Sequence, residues 1–261
     1  MRLLFVGDLV GGLGKRTLLA LLPGLRERHE PDLIVVNGEN AAGGRGITPK
    51  IADQLFDAGV HAITLGNHAY AKREIYPYLD DEPRIVRPIN HLAAQPGHGA
   101  CIVEGGGVRL GVINVSGNLF MQAGRPAFAE VDAEVARMRG RVDHILVDVH
   151  AEATSEKIGM GWHLDGRVTA VLGTHTHVPT ADARVLPGGT AYITDVGMTG
   201  PRSGVIGMRR DQALARMLTH MPGRLEVADE DPWLMGAVVS APEPLRADAI
   251  EPLRVPAPGV A

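Results

Sequence analysis

Leu3-Leu4-Phe5-Val6-Gly7-Asp8 is a short, unbroken apolar run that stops at a glycine and a carboxylate. An uninterrupted run of this length reads as a strand buried on both faces, the kind found in parallel sheets covered by helices. The same grammar recurs along the chain. Leu33–Val36 ends in Asn37-Gly38-Glu39-Asn40, and Ile63–Leu65 ends in Gly66-Asn67-His68. Ile145–Val149 ends in His150, and Val168–Leu172 ends in Gly173-Thr174-His175-Thr176-His177. Open α/β sheets bind ligands just beyond the carboxyl ends of their strands. If these ends share one rim, Asp8, Glu39, Asn40, Asn67, His68, His150, His175 and His177 converge on one site.

The segments between the runs supply the rest of the fold. Helical spacing covers Thr17–His29, where Pro23 is predicted to kink or divide the helix. Thr48-Pro49 predicts an N-cap opening a helix over Lys50–Ala58, which Gly59 closes. Further helices are predicted over Ala127–Met138 and from about Arg210 to His220. Residues 98–115 alternate around Gly105-Gly106-Gly107 and predict a hairpin; Ala183–Thr194 predicts another, turning at Pro187-Gly188-Gly189. Strands alternating with helices, joined by hairpins, indicate an α/β sandwich with mixed sheets. No linker or internal repeat divides the chain, so one domain over residues 1–261 is expected.

Composition narrows the class. Hydrophobic residues make up 45% and charged residues 21%, which excludes a disordered or fibrous chain. A net charge of −4 with scattered arginines excludes a basic scaffold, so no stable nucleic-acid binding is expected. The lone Cys101 fits a reducing cytoplasm, and no apolar stretch is long enough for a membrane helix. A cytoplasmic protein without membrane contact is expected. The hairpins leave strand edges through which a homo-oligomer could form.

Carboxylate, imidazole and amide donors without a thiolate suit a dinuclear centre of Fe, Mn or Zn, bridged by one carboxylate with the ions about 3.5–4 Å apart. Each motif has a plainer reading. Asp8 alone fits a helix N-cap, Gly38-Glu39-Asn40 a polar loop, Gly66-Asn67-His68 a left-handed turn, and His150 a strand-end histidine. Only His175-Thr176-His177, if strand alternation aims both imidazoles one way, favours a metal by itself. The set taken together favours it strongly. Other chemistries find less support. Gly11-Gly12-Leu13-Gly14-Lys15 lacks the spacing of a nucleotide-triphosphate loop, and no Gly-x-Ser-x-Gly elbow is present. Cys101 falls inside a predicted strand, and His163 falls in a predicted loop.

The order Asp8, Glu39-Asn40, Gly66-Asn67-His68, His150, Gly173-x-His175-x-His177 resembles the calcineurin-like metallophosphoesterases. Three departures stand out: Val10 replaces the histidine expected after Asp8, Glu39 followed by Asn40 replaces the bridging aspartate, and Ala69 replaces the acid after Gly-Asn-His. Together with Asn37–Gly44 and Gly173–Thr180, they are similar to the YmdB-type bacterial 2′,3′-cyclic nucleotide phosphodiesterases. The resemblance implies a two-sheet α/β sandwich of metallophosphoesterase type with flanking helices. It implies one metal held by Asp8, Glu39, Asn40 and His177, and another held by Glu39, Asn67, His150 and His175. Iron is the first expectation, with manganese or zinc as alternatives. Asn40 would compensate for Val10, as a ligand or from the next layer out. His68 would be the general acid, without the neighbouring acid that orients it elsewhere in the superfamily.

The implied reaction is hydrolysis of a small 2′,3′-cyclic nucleotide by a metal-bridging hydroxide. The alternatives are a phosphomonoesterase acting on nucleotides or phosphoproteins, and a non-catalytic metal-dependent nucleotide-binding regulator. Candidate substrate loops are Ser116–Arg125 with Asn118 and Phe120, Thr154–His163 with Met160 and Trp162, and Met198–Arg202.

Overall fold

Leu4 and Val6 pack against helices, while their strand neighbours Leu3 and Phe5 pack against a second sheet. Side chains of a strand alternate in direction, so an apolar run without polar interruptions can serve two cores at once. The structure is a computed structural model that describes residues 1–260.

In chain order the elements are β1 (Arg2–Val6), α1 (Gly11–His29), β2 (Leu33–Asn37), α2 (Pro49–Asp57), β3 (Ala62–Thr64), α3 (Ile75–Asp81) and β4 (Ile85–Val86). There follow β5 (Ala100–Gly105), β6 (Val108–Ser116), α4 (Ala127–Met138), β7 (His144–His150), α5 (Thr154–Leu164) and β8 (Ala170–Thr174). The chain continues through β9 (Arg184–Val185), β10 (Ala191–Ile193), β11 (Gly200–Pro201), α6 (Arg210–Thr219), β12 (Pro232–Ser240) and β13 (Ala249–Pro256).

One sheet runs β11-β12-β1-β2-β3-β4, with β13 also paired to β12; the other runs β5-β6-β7-β8-β10-β9. The central pairs β1–β2, β2–β3, β6–β7 and β7–β8 are parallel, and β12–β13, β5–β6 and β9–β10 are antiparallel. Helices α1, α2 and α3 cover the first sheet through Leu18, Leu22, Leu55 and Leu79; α4 and α5 cover the second through Val131, Val135, Met160 and Leu164. The expected two-sheet sandwich with mixed sheets and flanking helices is what the chain forms. Among the described residues no helix is long and apolar enough to cross a membrane.

Some expectations fail for identifiable reasons. Pro23 does not divide α1, which runs unbroken from Gly11 to His29. Pro23 lies exposed, so water can serve the carbonyl left without an N–H partner. Thr154–His163 is helix α5 rather than a loop. Its buried stripe is Lys157, Met160, Gly161 and Leu164, and the lysine and glycine break the apolar pattern that would have revealed it. His175 to His177 do not continue β8: His175 has φ 92° and His177 has φ 66°, in the left-handed region.

Candidate metal centre

The parallel strands bring their carboxyl ends to one rim, where the two sheets face each other. Asn37, Thr64, Asp148 and Thr174 point between the sheets and form a buried polar floor. Asp148 accepts from Asn37 Nδ2 at 2.9 Å, Thr64 Oγ1 at 2.5 Å and Thr174 Oγ1 at 2.7 Å. Burial outweighs these hydrogen bonds and pushes the Asp148 carboxyl up to about 6.

That floor fixes His150. Thr174 Oγ1 gives its proton to Asp148, so at 2.9 Å from His150 Nδ1 it accepts the imidazole N–H. His150 Nε2, the nitrogen that offers a lone pair once the ring is neutral, then faces the centre. Around it stand Asn67 Oδ1 at 3.0 Å, His175 Nδ1 at 3.0 Å and Glu39 Oε1 at 3.1 Å. His175 is fixed similarly, because its Nε2 lies 3.1 Å from Glu152 Oε2 and donates there. Nitrogen and oxygen ligand atoms therefore crowd one point, and a cation is what such a cluster accommodates. Glu39, His150 and His175 place ligand atoms within 4.8 Å of one another.

A second set of donors lies beside the first. Asp8 is fully buried; Oδ2 accepts from the His175 backbone N–H at 3.2 Å, while Oδ1 has no hydrogen-bond partner. Asp8 Oδ1 lies 3.8 Å from His177 Nε2. His177 Nδ1 donates to the Ile206 carbonyl at 3.0 Å, which makes Nε2 the acceptor nitrogen that a metal would take. The Asn40 amide spans the gap, with Nδ2 at 3.2 Å from His177 Nε2 and 3.0 Å from Glu39 Oε1. An orphaned buried carboxylate oxygen facing an imidazole lone pair fits a second cation.

The charges follow from this crowding. Burial works against Glu39, yet His150 and His68 outweigh it and hold its carboxyl well below the usual range. Burial likewise opposes a charged His150, but Glu39 and Asp8 raise it to about 9, so a cation at the centre would displace the proton from Nε2. Burial, then His150, pushes His175 down to about 3, which keeps it a neutral donor. Burial raises Asp8 despite the pull of His177 and His150.

His68 borders the cluster. Its backbone N–H donates to Glu39 Oε2 at 3.1 Å, and its Nδ1 lies 2.9 Å from Asn40 Oδ1. Asn40 is therefore the orienting partner that Ala69 does not provide. Gly66 allows this approach, because a Cβ there would collide with Glu39 Oε2 and the His150 ring.

Asp8, Glu39, Asn40, Asn67, His68, His150, His175 and His177 all meet at this rim, but their supports escaped sequence reading. The left-handed turn at His175–His177 is held by Asp195, which accepts from Thr176 N at 3.2 Å and Thr176 Oγ1 at 2.6 Å. Lys157 Nζ, fully buried, pairs with Asp195 at 2.7 Å. A lysine inside the buried stripe of α5 is the signal that could have exposed this network. The suggested substrate loops divide. Asn118 caps α4 through Ala127 N at 2.9 Å, and His163 pairs with Asp132 at 2.9 Å, away from the cluster. Met198 and Arg202 do border a cavity, which includes His177.

A family model described as YmdB-like protein matches residues 4–253. The chain belongs to the YmdB-like family. This YmdB-like chain is 46% identical over 239 residues to the 2′,3′-cyclic-nucleotide 2′-phosphodiesterase of Bacillus subtilis (strain 168), covering 92% of this chain and 90% of that protein. A hypothetical protein from Thermus thermophilus matches with a TM-score of 0.92 and 41% identity, over 99% of this chain and 100% of its own. A crystal structure described as a novel phosphatase from Mycoplasma pneumoniae matches with a TM-score of 0.90 and 31% identity, over 98% of this chain and 93% of its own. The same fold occurs in a putative 5′-nucleotidase from Staphylococcus aureus, with a TM-score of 0.63 and 15% identity, over 98% of this chain and 54% of its own. For this YmdB-like chain the expectation of a phosphoester-hydrolysing enzyme is borne out at the level of the family.

Proposed function

We propose that the centre binds two metal ions and hydrolyses 2′,3′-cyclic nucleotides. The observation that carries this reading is the crowd of nitrogen and oxygen ligand atoms around His150 Nε2, beside the partnerless Asp8 Oδ1. The name of the Bacillus subtilis relative supplies the substrate. Asp8, Glu39 and His177 would hold one ion, with Asn40 behind them linking Glu39, His177 and His68; Glu39, Asn67, His150 and His175 would hold the other. Bound there, such ions act as Lewis acids that activate water and neutralise phosphoryl charge. Donors of nitrogen and oxygen without thiolate suit iron, manganese or zinc, with iron the first expectation.

His68 is the proposed proton donor. Its Nδ1 is tied to Asn40 Oδ1 and lies 3.5 Å from Glu39 Oε1, so this edge of the ring faces acceptors. Nε2 is then the edge left to deliver a proton to the departing ribose oxygen. A ribose alkoxide leaves poorly, and a positioned acid contributes ~10²–10⁴-fold. A phosphomonoesterase is the second reading, favoured by the name of the Mycoplasma pneumoniae structure. Turnover of 2′,3′-cyclic AMP, bis-p-nitrophenyl phosphate and p-nitrophenyl phosphate by metal-loaded protein separates the two. Hydrolysis of the diesters supports the first reading, and hydrolysis of the monoester alone replaces it with the second.

A further inference from the structure

A cavity of about 490 Å³ is walled on one side by His177. This is the imidazole whose Nε2 faces Asp8 and whose Nδ1 donates to the Ile206 carbonyl, so the cavity adjoins the centre. Its floor is apolar, with Met198 and Met235, and its size falls in the range of small-molecule sites. Trp233 forms another wall. The Arg202 guanidinium lies over the indole at 4.6 Å from the ring centroid, and Trp233 Nε1 donates to Asp231 Oδ1 at 2.8 Å, which fixes the ring. Arg254 joins Arg202 in the lining. Among the described residues neither guanidinium lies within ion-pair distance of a carboxylate.

The charge of this cavity does not match a cyclic mononucleoside. Such a substrate carries one anionic group, which the metal centre takes. Its ribose and base are neutral and give two guanidinium groups nothing to pair with. We infer that the cavity receives a phosphate on the 5′ side of the cyclic nucleotide, held by Arg202 and Arg254. The preferred substrates are then 2′,3′-cyclic nucleotides bearing a 5′-linked phosphate, as at the end of a short oligoribonucleotide. This rests on the phosphodiesterase reading and narrows its substrate class. Guanidinium groups match phosphate geometry, and a guanidinium or an indole also offers a face on which a base can stack. The chemical step is unchanged: water adds to phosphorus, one bond from phosphorus to a ribose oxygen breaks, and that oxygen leaves with a proton. The product carries a terminal phosphomonoester.

The test compares kcat/KM for three substrates: 2′,3′-cyclic AMP, its 5′-phosphorylated form, and the dinucleotide ApA ending in a 2′,3′-cyclic phosphate. The two substrates with a 5′-linked phosphate are expected to exceed 2′,3′-cyclic AMP by at least roughly tenfold, the factor one charge-assisted contact supplies. Arg202→Gln combined with Arg254→Gln is expected to bring that ratio to within about twofold, with metal content and circular dichroism as checks on folding. A greater gain with ApA than with the 5′-phosphorylated mononucleotide assigns the cavity to an RNA end; equal gains assign it to the phosphate alone. A wild-type ratio near one, or a ratio that survives the double substitution, overturns the inference. If metal-loaded protein turns over none of the three, the parent reading fails instead.

Discussion

Replacing Thr174 with valine preserves the shape of the side chain and removes one oxygen. That oxygen joins His150 Nδ1, at 2.9 Å, to Asp148 Oδ1, at 2.7 Å, and all three residues are fully buried. Two buried polar groups each lose a partner, and an unsatisfied group of this kind costs about 1–3 kcal/mol. Asp148 keeps its bonds from Asn37 and Thr64, so the expected loss of stability is about 2–4 kcal/mol. The effect on metal binding is separate. Without Thr174 Oγ1, nothing selects the tautomer that turns the His150 Nε2 lone pair toward Glu39, Asn67 and His175. Outer hydrogen-bond partners of this kind influence metal affinity by about 10–100-fold. Urea unfolding of metal-free protein reads the first effect, and competition with a chelator reads the second. Thr174→Ser restores the hydroxyl and is expected to recover affinity. If Thr174→Val is destabilised yet binds metal like the wild type, the hydroxyl is only a structural bond and the tautomer argument fails.

His68→Ala is expected to retain both metals and lose about 10²–10⁴-fold in kcat on cyclic nucleotides, with a smaller loss on p-nitrophenyl esters, whose leaving group needs no proton; equal losses would remove His68 from the acid role. Glu152→Gln is expected to weaken metal binding by about tenfold by depriving His175 Nε2 of a charged acceptor at 3.1 Å, and an unchanged chelator titration would show that bond to be incidental. Lys157→Met leaves Asp195 as a buried unpaired carboxylate and is expected to cost about 3–5 kcal/mol in urea unfolding, with a loss below about 1 kcal/mol as the contrary result. Burial, then the N-terminal ammonium, pushes His144 from its usual 6.5 down to about 4. The folded protein therefore holds it neutral where the unfolded chain takes up a proton. Its contribution is complete above pH 6.5 and is lost as the pH falls toward about 4. In metal-free protein His144→Gln should flatten that fall, and an unchanged slope would exclude His144 as its source.

The strands were legible because their runs are apolar without interruption, the mark of burial on both faces. Helix α4, both hairpins and the Thr48 cap were equally plain, since each carries its own local signal. Helix α5 was hidden because Lys157 occupies its buried face for the sake of Asp195, far away in sequence. The same distance explains His175 and His177. Alternation along a strand put both rings on one side, but the left-handed turn held by Asp195 sends His175 to His150 and His177 toward Asp8. The ligand types could be read from strand ends. Tautomers and orienting partners such as Asn40 for His68 depend on contacts between the sheets, and of the guanidinium-lined cavity only the Met198–Arg202 segment was marked in the sequence.

Glu39 stands between the two groups of donors, so the number of metal ions that depend on it tests the account most directly. Elemental analysis of metal-saturated protein is expected to find two ions per chain in the wild type, one in His177→Ala and none in Glu39→Ala. A wild type that never takes up more than one ion, or a Glu39→Ala variant that keeps two, would contradict the shared centre.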